Sequence, residues 1–415
     1  MSYFKEGSFK LIVLLFAAWL MMPCFAYGAG FQLFNELSAR SMGNGSAMTA
    51  RMDVAESAWF NPAAIALMSH NELLAGMAGV MPNMELDMNG SHDPEMQEKF
   101  YAVPYFYSAY KVNDRVGLGF SFNYPYGLET EWETDWPGRF YAIKTKLLTP
   151  FFTPSASVKI NDKFSLGAGF QIVRADAELQ RSIYVRPLRA EIFTEIEGGD
   201  TSAGYLLSAM FVPVKNWSVG IIYRSEVVFD LEGKAKYWDV PARVAPLFSN
   251  SRVDLKLRLP ATISIGVSTT MIPNLILSLD YLWTRWSSYD SLNFKYERTP
   301  GRGVPGTISV PKEWHDDYSI RLGAEYQLNQ LLTLRGAYVY DRSPIDDKYR
   351  DPSLPANDRH LFSFGLGYNY QNFSIDFAYT YLHMEDSKTS AITPTLSGTY
   401  KGDAHILNID FSWRF

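Results

Sequence analysis

Cysteine is almost absent from this 415-residue sequence: the single one is Cys24, in an apolar segment near the N-terminus. Pro23 and the two methionines before it do not form the pattern that precedes a lipid-modified cysteine. A chain that loses this segment keeps no thiol. We therefore expect neither disulfides nor a thiolate metal site.

Long apolar runs and an excess of basic residues are also missing. Beyond the N-terminal segment, no run reaches the roughly 18 apolar residues that suggest a membrane-spanning helix. This excludes a helical membrane protein but leaves alternating strands open. The formal net charge is −6, so nothing in the charge balance suggests nucleic-acid binding.

Common catalytic patterns are missing too. We find no G-x-S-x-G, H-E-x-x-H or P-loop pattern. The six histidines are scattered, and His383 and His405 have no evident array of catalytic partners. We therefore expect no enzyme activity, no catalytic residues, no bound metal and no cofactor.

The N-terminus has the layout of a secretory signal peptide. Lys5 and Lys10 precede an apolar run over 11–22, and small residues follow from Ala26 onward. This run is too short for a spanning helix. We predict a signal peptide over 1–28; the alternative is an uncleaved membrane anchor.

The clearest pattern in the rest of the chain is alternation of apolar and polar residues. In the last ten residues, Leu407, Ile409, Phe411, Trp413 and Phe415 alternate with polar residues. Successive side chains of a strand point to opposite faces, so one face here is apolar. Similar segments are Val116–Tyr124, Phe164–Val173, Trp217–Tyr223, Ile263–Thr269, Leu275–Trp283, Tyr318–Tyr326, Leu332–Tyr340, Leu361–Tyr370 and Phe373–Tyr381.

Three features favour a membrane barrel over a soluble sandwich. The strands are about ten residues long, and aromatic residues lie near their ends. Tight polar turns alternate with long stretches rich in proline, glycine and charge, which we predict to be extracellular loops. These stretches are 125–150, 182–202, 233–258, 284–315, 341–359 and 383–404. The chain ends on Phe415, which we interpret as an assembly signal. We predict an all-β transmembrane barrel of about fourteen antiparallel strands over 75–415, preceded by a plug or periplasmic segment over 29–74.

Six motifs, in order and at suitable spacing, resemble those of the outer-membrane long-chain fatty acid transporter family, the FadL/TodX-like channels for hydrophobic compounds. They are Ala29–Leu33, Trp59–Ala63, Tyr126–Glu131, Tyr223–Val227, Trp283–Ser287 and Asp341–Ile345. The resemblance covers almost the whole chain after the signal peptide. It implies a hatch over 29–74 that plugs the lumen.

The resemblance also implies a route by which the transported molecule leaves the barrel. In this family, hydrophobic molecules diffuse passively and leave sideways where the third strand kinks toward the hatch. Tyr126 and Gly127 occupy that position, after Pro125; without the resemblance, Pro-Tyr-Gly would simply begin an extracellular loop. Asn61 and Pro62 would lie in the hatch, with Asn61 against the kinked strand. Their alternative interpretation is a helix boundary.

Three residues are expected to bind ligand by the same resemblance. Phe31 would lie with the N-terminal peptide in the pocket, where its movement gates release. Arg181 falls on an arginine that binds the fatty-acid carboxylate, as a bidentate guanidinium can. His315 falls on a second basic position, although a neutral histidine is a poorer anion partner and an exposed loop histidine is the more frequent case. A neutral hydrocarbon therefore remains open as the substrate.

The partners implied are a hydrophobic small molecule, outer-membrane lipid and lipopolysaccharide, and the barrel assembly machinery, around a monomer. An apolar surface groove would form from the stretches 182–202 and 233–258. Its residues would be Ile183, Leu188, Ile192, Phe193, Trp238, Val240, Leu247 and Phe248. The alternative functions are a general diffusion porin, which would use inward charges such as Asp280 and Arg321, and a structural barrel.

Overall fold

The computed structural model describes residues 30–32, 37–88, 93–301, 304–389 and 392–415. The predicted signal peptide, 1–28, lies outside the described residues. Within these ranges, no helix has both the length and the apolar character needed to cross a membrane.

Most of the described chain is β-strand. The strands are β1 (Glu72–Asp87), β2 (Tyr101–Lys111), β3 (Val116–Glu131), β4 (Lys144–Asn161), β5 (Phe164–Val185), β6 (Ala190–Val214), β7 (Trp217–Arg224), β8 (Val227–Trp238), β9 (Ser251–Leu259), β10 (Thr262–Thr269), β11 (Leu275–Thr284), β12 (Ser291–Tyr296), β13 (Thr307–Pro311), β14 (Asp317–Gln327), β15 (Leu332–Asp341), β16 (Arg359–Tyr370), β17 (Phe373–Lys388) and β18 (Thr399–Arg414). Short 3-10 helices lie at Arg186–Leu188, Ala245–Leu247 and Trp286–Ser288.

These segments form one closed antiparallel barrel. Four of its strands are interrupted, so that two consecutive segments make up one strand. The first such pair is β7 and β8, which both pair with β6. The others are β9 and β10, β11 and β12, and β13 and β14. Pairing of β1 with β18 closes the sheet. Counted with each interrupted strand as one, the described barrel has fourteen strands, which confirms the predicted fold.

The connections confirm part of the sequence prediction and correct the rest. The tight turns fall where polar pairs such as Asn161-Asp162 and Gln371-Asn372 predicted them. The stretch 182–202 is wrong as a loop: β5 and β6 continue into a long hairpin that turns at 186–189. Within it, Phe193 pairs with Trp238 of β8. Backbone hydrogen bonds between strands form outside a membrane as well as within it. The sheet therefore continues beyond the part of the barrel whose outer face is apolar.

The outer face of the barrel is apolar across much of its height. On β16, Phe362, Phe364 and Leu366 point outward and are exposed, whereas Leu361 and Ser363, at alternate positions, are buried. A folded protein rarely leaves so continuous an apolar surface in water. A closed barrel satisfies its backbone hydrogen bonds internally, so this surface suits lipid.

The N-terminal segment fills the lumen. It contains a helix at Ala39–Gly43, a helix at Ser57–Phe60 and a 3-10 helix at Pro62–Leu67. Almost all of its described side chains are buried. The first strand begins at Glu72, three residues before the predicted boundary at 75. This segment is called the hatch below.

Inward-facing charges of the barrel bind the hatch. Arg40 forms a two-pronged pair with Glu72 of β1, at 3.0 and 3.2 Å. Its backbone amide donates to Asp410 of β18 at 3.0 Å, and the amide of Thr49 donates to Asp280 of β11 at 2.9 Å. Asp280 and Asp410 are among the inward charges that a porin would need along an open pore. Here they hold a plug instead.

Candidate functional site

A β-bulge bends the third strand. Asn123 of β3 pairs with Phe151 of β4, and Tyr126 pairs with Thr149, so two residues on β3 stand opposite one on β4. The extra residue shifts the alternation: Asn123 and Tyr126 are both buried, although three positions apart. The strand above the bulge is therefore bent into the lumen.

The bend separates β3 from its other neighbour. Among the described residues, the pairing of β2 with β3 ends at Phe106 and Phe122. Above that pair, the stretch 101–105 of β2 still pairs with β1. The two strands approach again higher up, where the amide of Gln97 donates to the carbonyl of Glu131 at 2.8 Å. A bounded gap in the backbone pairing, called the opening below, thus lies between β2 and β3.

Prolines stand on both sides of this opening. Pro104 lies in the part of β2 that has left β3, and Pro125 lies in the bulge. A proline has no amide hydrogen to leave without a partner, which is why sheets tolerate it at edges and bulges. Neither residue therefore leaves an unpaired amide in this part of the wall.

The N-terminal peptide pairs with the bent part of β3. The amide of Gly127 donates to the carbonyl of Phe31 at 2.9 Å, and Gln32 forms a bridge with Tyr126. Gly127 itself has no positive φ, since the described glycines with positive φ are Gly30, Gly45 and Gly301. The bulge makes the kink.

Phe31 is the centre of an aromatic cluster. Its ring lies 4.9 Å from that of Trp286, 5.2 Å from Tyr289, 5.7 Å from Trp314 and 6.1 Å from Tyr126. The side chain is only 2% exposed. The predicted placement of the N-terminal peptide inside a lumenal pocket agrees with this geometry.

Beside Phe31 lies an apolar cavity of about 70 Å³. Its walls are mainly aliphatic and aromatic, and come from six strands, the cluster around Phe31 and an extracellular loop: Leu128, Leu147, Ala177, Leu179, Leu231, Leu255, Leu257, Tyr289, Leu292, Trp314 and Leu354. An apolar cavity of about 150 Å³ holds benzene. A ligand therefore requires movement of the wall, of which Phe31 is a part.

Arg181 lies on β5 beyond the extracellular end of this cavity and is not part of its lining. It follows the cavity residues Ala177 and Leu179 at alternate positions of β5, which share one face. Its charge acts on the phenols of Tyr237 and Tyr296. Within the part of the chain that the structure describes, Arg181 makes no ion pair. A guanidinium so placed can receive a carboxylate.

His315 does not lie at the cavity, which corrects its expected role there. Its side chain is 44% exposed and faces Asp317, with Nδ1 3.6 Å from the carboxylate. In the segment between β13 and β14, Trp314 points inward and His315 outward. Two basic residues lie on the cavity wall: Lys146 of β4 and Lys312, three positions before His315. Nζ of Lys312 lies 2.6 Å from Asp351.

Asn61 also differs from its expected place. Its side-chain amide donates to the carbonyls of Thr49 and of Ala209 on β6, at 2.8 and 3.1 Å, and does not reach the kinked strand. Its oxygen accepts from the amide of Ala63 at 3.2 Å and so caps the 3-10 helix that Pro62 begins. Asn61 therefore joins two parts of the hatch to the barrel wall.

We expect Asn61→Asp to loosen the hatch. The carboxylate keeps the helix cap but cannot donate to Thr49 and Ala209, and a buried carbonyl without its donor costs roughly 1–3 kcal/mol. In planar bilayers, the variant should show brief ionic openings that the parent lacks. Asn369→Asp, at an asparagine that bonds Thr333 and not the hatch, is the control. If neither the parent nor the variant showed ionic openings, the proposed role of Asn61 would be contradicted.

Sequence reasoning missed Tyr289, Lys312 and Trp314. All three lie in the stretch 284–315, which lacks alternation and was interpreted as a surface loop. The only available signal was its aromatic content. Burial, and after it the negative charge of Asp351, raises the pKa of Tyr289 above its ordinary range, so this phenol stays neutral in the cavity.

Comparison with known proteins gives one consistent result. Residues 19–415 match the family described as outer membrane protein transport protein (OMPP1/FadL/TodX). The long-chain fatty acid transport protein of Escherichia coli is 25% identical over 437 residues, 94% of this chain and 95% of that protein.

Two solved structures share the fold. A FadL homologue of Pseudomonas aeruginosa has a TM-score of 0.82 at 22% identity, over 93% of this chain and 99% of that one. The toluene transporter TbuX of Ralstonia pickettii has a TM-score of 0.71 at 18% identity, over 92% and 99%.

Proposed function

Because the chain belongs to the OMPP1/FadL/TodX family of outer-membrane transport proteins, we propose that it carries small hydrophobic molecules by passive diffusion and releases them sideways. Members of this family are outer-membrane transport channels for fatty acids and hydrocarbons, not enzymes. The proposed path leads from the cavity beside Phe31 through the opening between β2 and β3.

The opening between β2 and β3 is the observation on which this proposal rests. An apolar solute gains nothing from a water-filled pore, since each buried methylene is worth about 0.8 kcal/mol. A gap in the wall lets the solute pass from the cavity into lipid without crossing water. Below the cavity, the hatch and its ion pairs block the straight route.

The N-terminal peptide is the proposed gate. Phe31 packs against the cavity and its carbonyl holds Gly127 on the bent strand. Gly30 has φ +58°, and a Cβ there would lie 2.7 Å from Trp286, so the turn before Phe31 depends on glycine. Movement of this peptide would enlarge the cavity and uncover the opening together.

Two substrate classes fit the cavity. Arg181 favours a carboxylate and supports the fatty-acid assignment. The rings around Phe31 suit a neutral aromatic hydrocarbon equally well, as toluene is for the similar TbuX fold. The porin alternative has less support, because the inward charges that it needs are bound to the hatch.

The proposed partners follow from the outer surface. The apolar belt requires outer-membrane lipid, and the charged strand ends above it would face lipopolysaccharide. Phe415 directly follows β18. It forms both backbone hydrogen bonds with Asn71, at 3.0 and 3.1 Å, and its ring stacks on Trp413. Its role as the signal for the barrel assembly machinery remains a prediction, as does the monomeric state.

The test is uptake of labelled oleate and labelled toluene by cells in which the gene is deleted and then restored. Restored oleate uptake would place the protein with fatty-acid transporters. Restored toluene uptake alone would make it a hydrocarbon channel. If neither oleate uptake nor toluene uptake is restored, and the pure protein shows large ionic conductance, the porin alternative is favoured.

A further inference from the structure

The loop between β15 and β16, residues 342–358, folds inward over the cavity and is called the lid here. Ser353 and Leu354 form part of the cavity wall, and Ile345, Leu354 and Ala356 are buried. A surface loop that buries its apolar residues in a lumen closes that lumen from outside. The lid thus covers the extracellular side of the cavity.

The lid is attached to the bent third strand. The hydroxyl of Thr130 donates to the carbonyl of Ser353 at 3.0 Å, and the indole of Trp132 donates to the carbonyl of Pro352 at 3.0 Å. Thr130 lies on β3 above the bulge and Trp132 directly after it. The cover of the cavity and the strand that forms the opening are therefore in direct contact.

Asp351 forms the charged attachment of the lid. Its Oδ2 lies 2.6 Å from Nζ of Lys312, and its Oδ1 accepts from the amide of Ser353 at 2.9 Å. Burial would raise the pKa of Asp351, but the ammonium and the bonds from Ser353 outweigh it and hold the pKa below its usual value. The lid carboxylate is therefore ionised, and Lys312 has its counter-ion.

We propose that Asp351 takes the place of a ligand carboxylate, and that exchange between the two releases the lid. A fatty acid brings the same group to Lys312 that Asp351 provides, while the displaced Asp351 can reach water above the barrel. A neutral ligand cannot make this exchange, because it would leave the ammonium of Lys312 without a counter-ion in an apolar cavity.

Asp351 is thereby a residue that determines specificity. The intact Lys312–Asp351 pair has no net charge and lies at the cavity with the cluster around Phe31. Acids open the lid, and neutral molecules do not. This inference rests on the proposed function, since it takes the cavity as the ligand site. It goes beyond that function in linking the charge of the ligand to opening of the lid.

A single introduced cysteine tests the latch without any ligand. Leu354 is 7% exposed, so in a Cys24→Ser background Leu354→Cys should react slowly with a polar maleimide. Adding Asp351→Asn should raise the rate about tenfold or more, because breaking a buried ion pair is worth at least that factor. Asp346→Asn, which removes an exposed carboxylate of the same loop, should leave the rate unchanged. A slow rate with Asp351→Asn would overturn the latch.

The second arm uses oleate and its methyl ester at neutral pH, with protein in bilayer discs. Oleate should speed labelling of Leu354→Cys about tenfold, and the ester should not, since only the acid can replace Asp351. Equal acceleration by both would overturn the exchange. If neither compound binds at all, the proposed function fails with the exchange, while fast labelling with Asp351→Asn would still support the latch.

Discussion

Deletion of Pro125 is expected to abolish uptake of fatty acid while leaving the barrel assembled. The bulge on β3 consists of one extra residue, so its removal makes the pairing with β4 continuous from Asn123 upward. Tyr126 and Leu128 would then follow Asn123 at alternate positions and still point inward. Nothing would bend the strand, and it could pair with β2 and close the wall.

Pro125→Ala is the matched control for this deletion. It removes the ring but keeps the residue count, so the bulge and the opening should remain, and uptake should stay near that of the parent. Heat-modifiable migration and surface labelling would show that both variants assemble. Normal uptake by the deletion variant would mean that the solute leaves by another route.

Replacement of Arg181 by glutamine is expected to weaken oleate binding about 10- to 100-fold, since hydrogen bonds to a charged group contribute roughly 1.5–3 kcal/mol. Binding of methyl oleate should change little, because the ester offers no charge. Titration of the pure protein with each compound measures the two affinities.

Arg174→Gln supplies the control, because Arg174 lies on the same strand but points outward and pairs with Asp176. It should leave both affinities unchanged. Equal loss of acid and ester in Arg181→Gln would show that the residue shapes the cavity and does not recognise the headgroup.

The strands that were predictable from sequence share one property: an apolar outer face against a polar or small inner face. In β16 and β18, this contrast follows from lipid on one side and the hatch on the other. In β1, the contrast is lost, because Ala75, Met77 and Gly79 point outward while Leu74, Ala78 and Val80 face the hatch. Both faces of β1 are apolar or small, so period-two alternation does not reveal the strand.

The extensions of β5 and β6 escaped prediction for the opposite reason. Above the membrane, their outward residues are charged, as Glu178 and Glu195 are, while inward residues such as Leu179 stay apolar. The pattern still alternates, but here the inner face is apolar and the outer face is charged. The charged residues were interpreted as a sign of a loop. The residue types on a face indicate whether that face contacts lipid, water or protein. They do not show whether the segment pairs as a strand.

The site was predictable only in part and for similar reasons. Phe31, Tyr126 and Gly127 lie together, and Arg181 lies beyond the cavity, while their roles in binding and gating stay predictions. The position of His315 was wrong, because a shift of three residues in an irregular segment exchanges an inward side chain for an outward one. Lys312 and Asp351 could not be paired from sequence, since the lid that joins them is irregular.

The central claim is that the solute leaves through the wall, and photo-crosslinking tests it most directly. A fatty acid with a diazirine near its methyl end would be added to cells and irradiated, and the adducts would be mapped by mass spectrometry. We expect adducts at Phe106 and Tyr124 beside the opening, and their loss on deletion of Pro125. Adducts at Arg51 and Asp53, which line the 630 Å³ vestibule below the hatch, would contradict the account and show passage through the hatch instead.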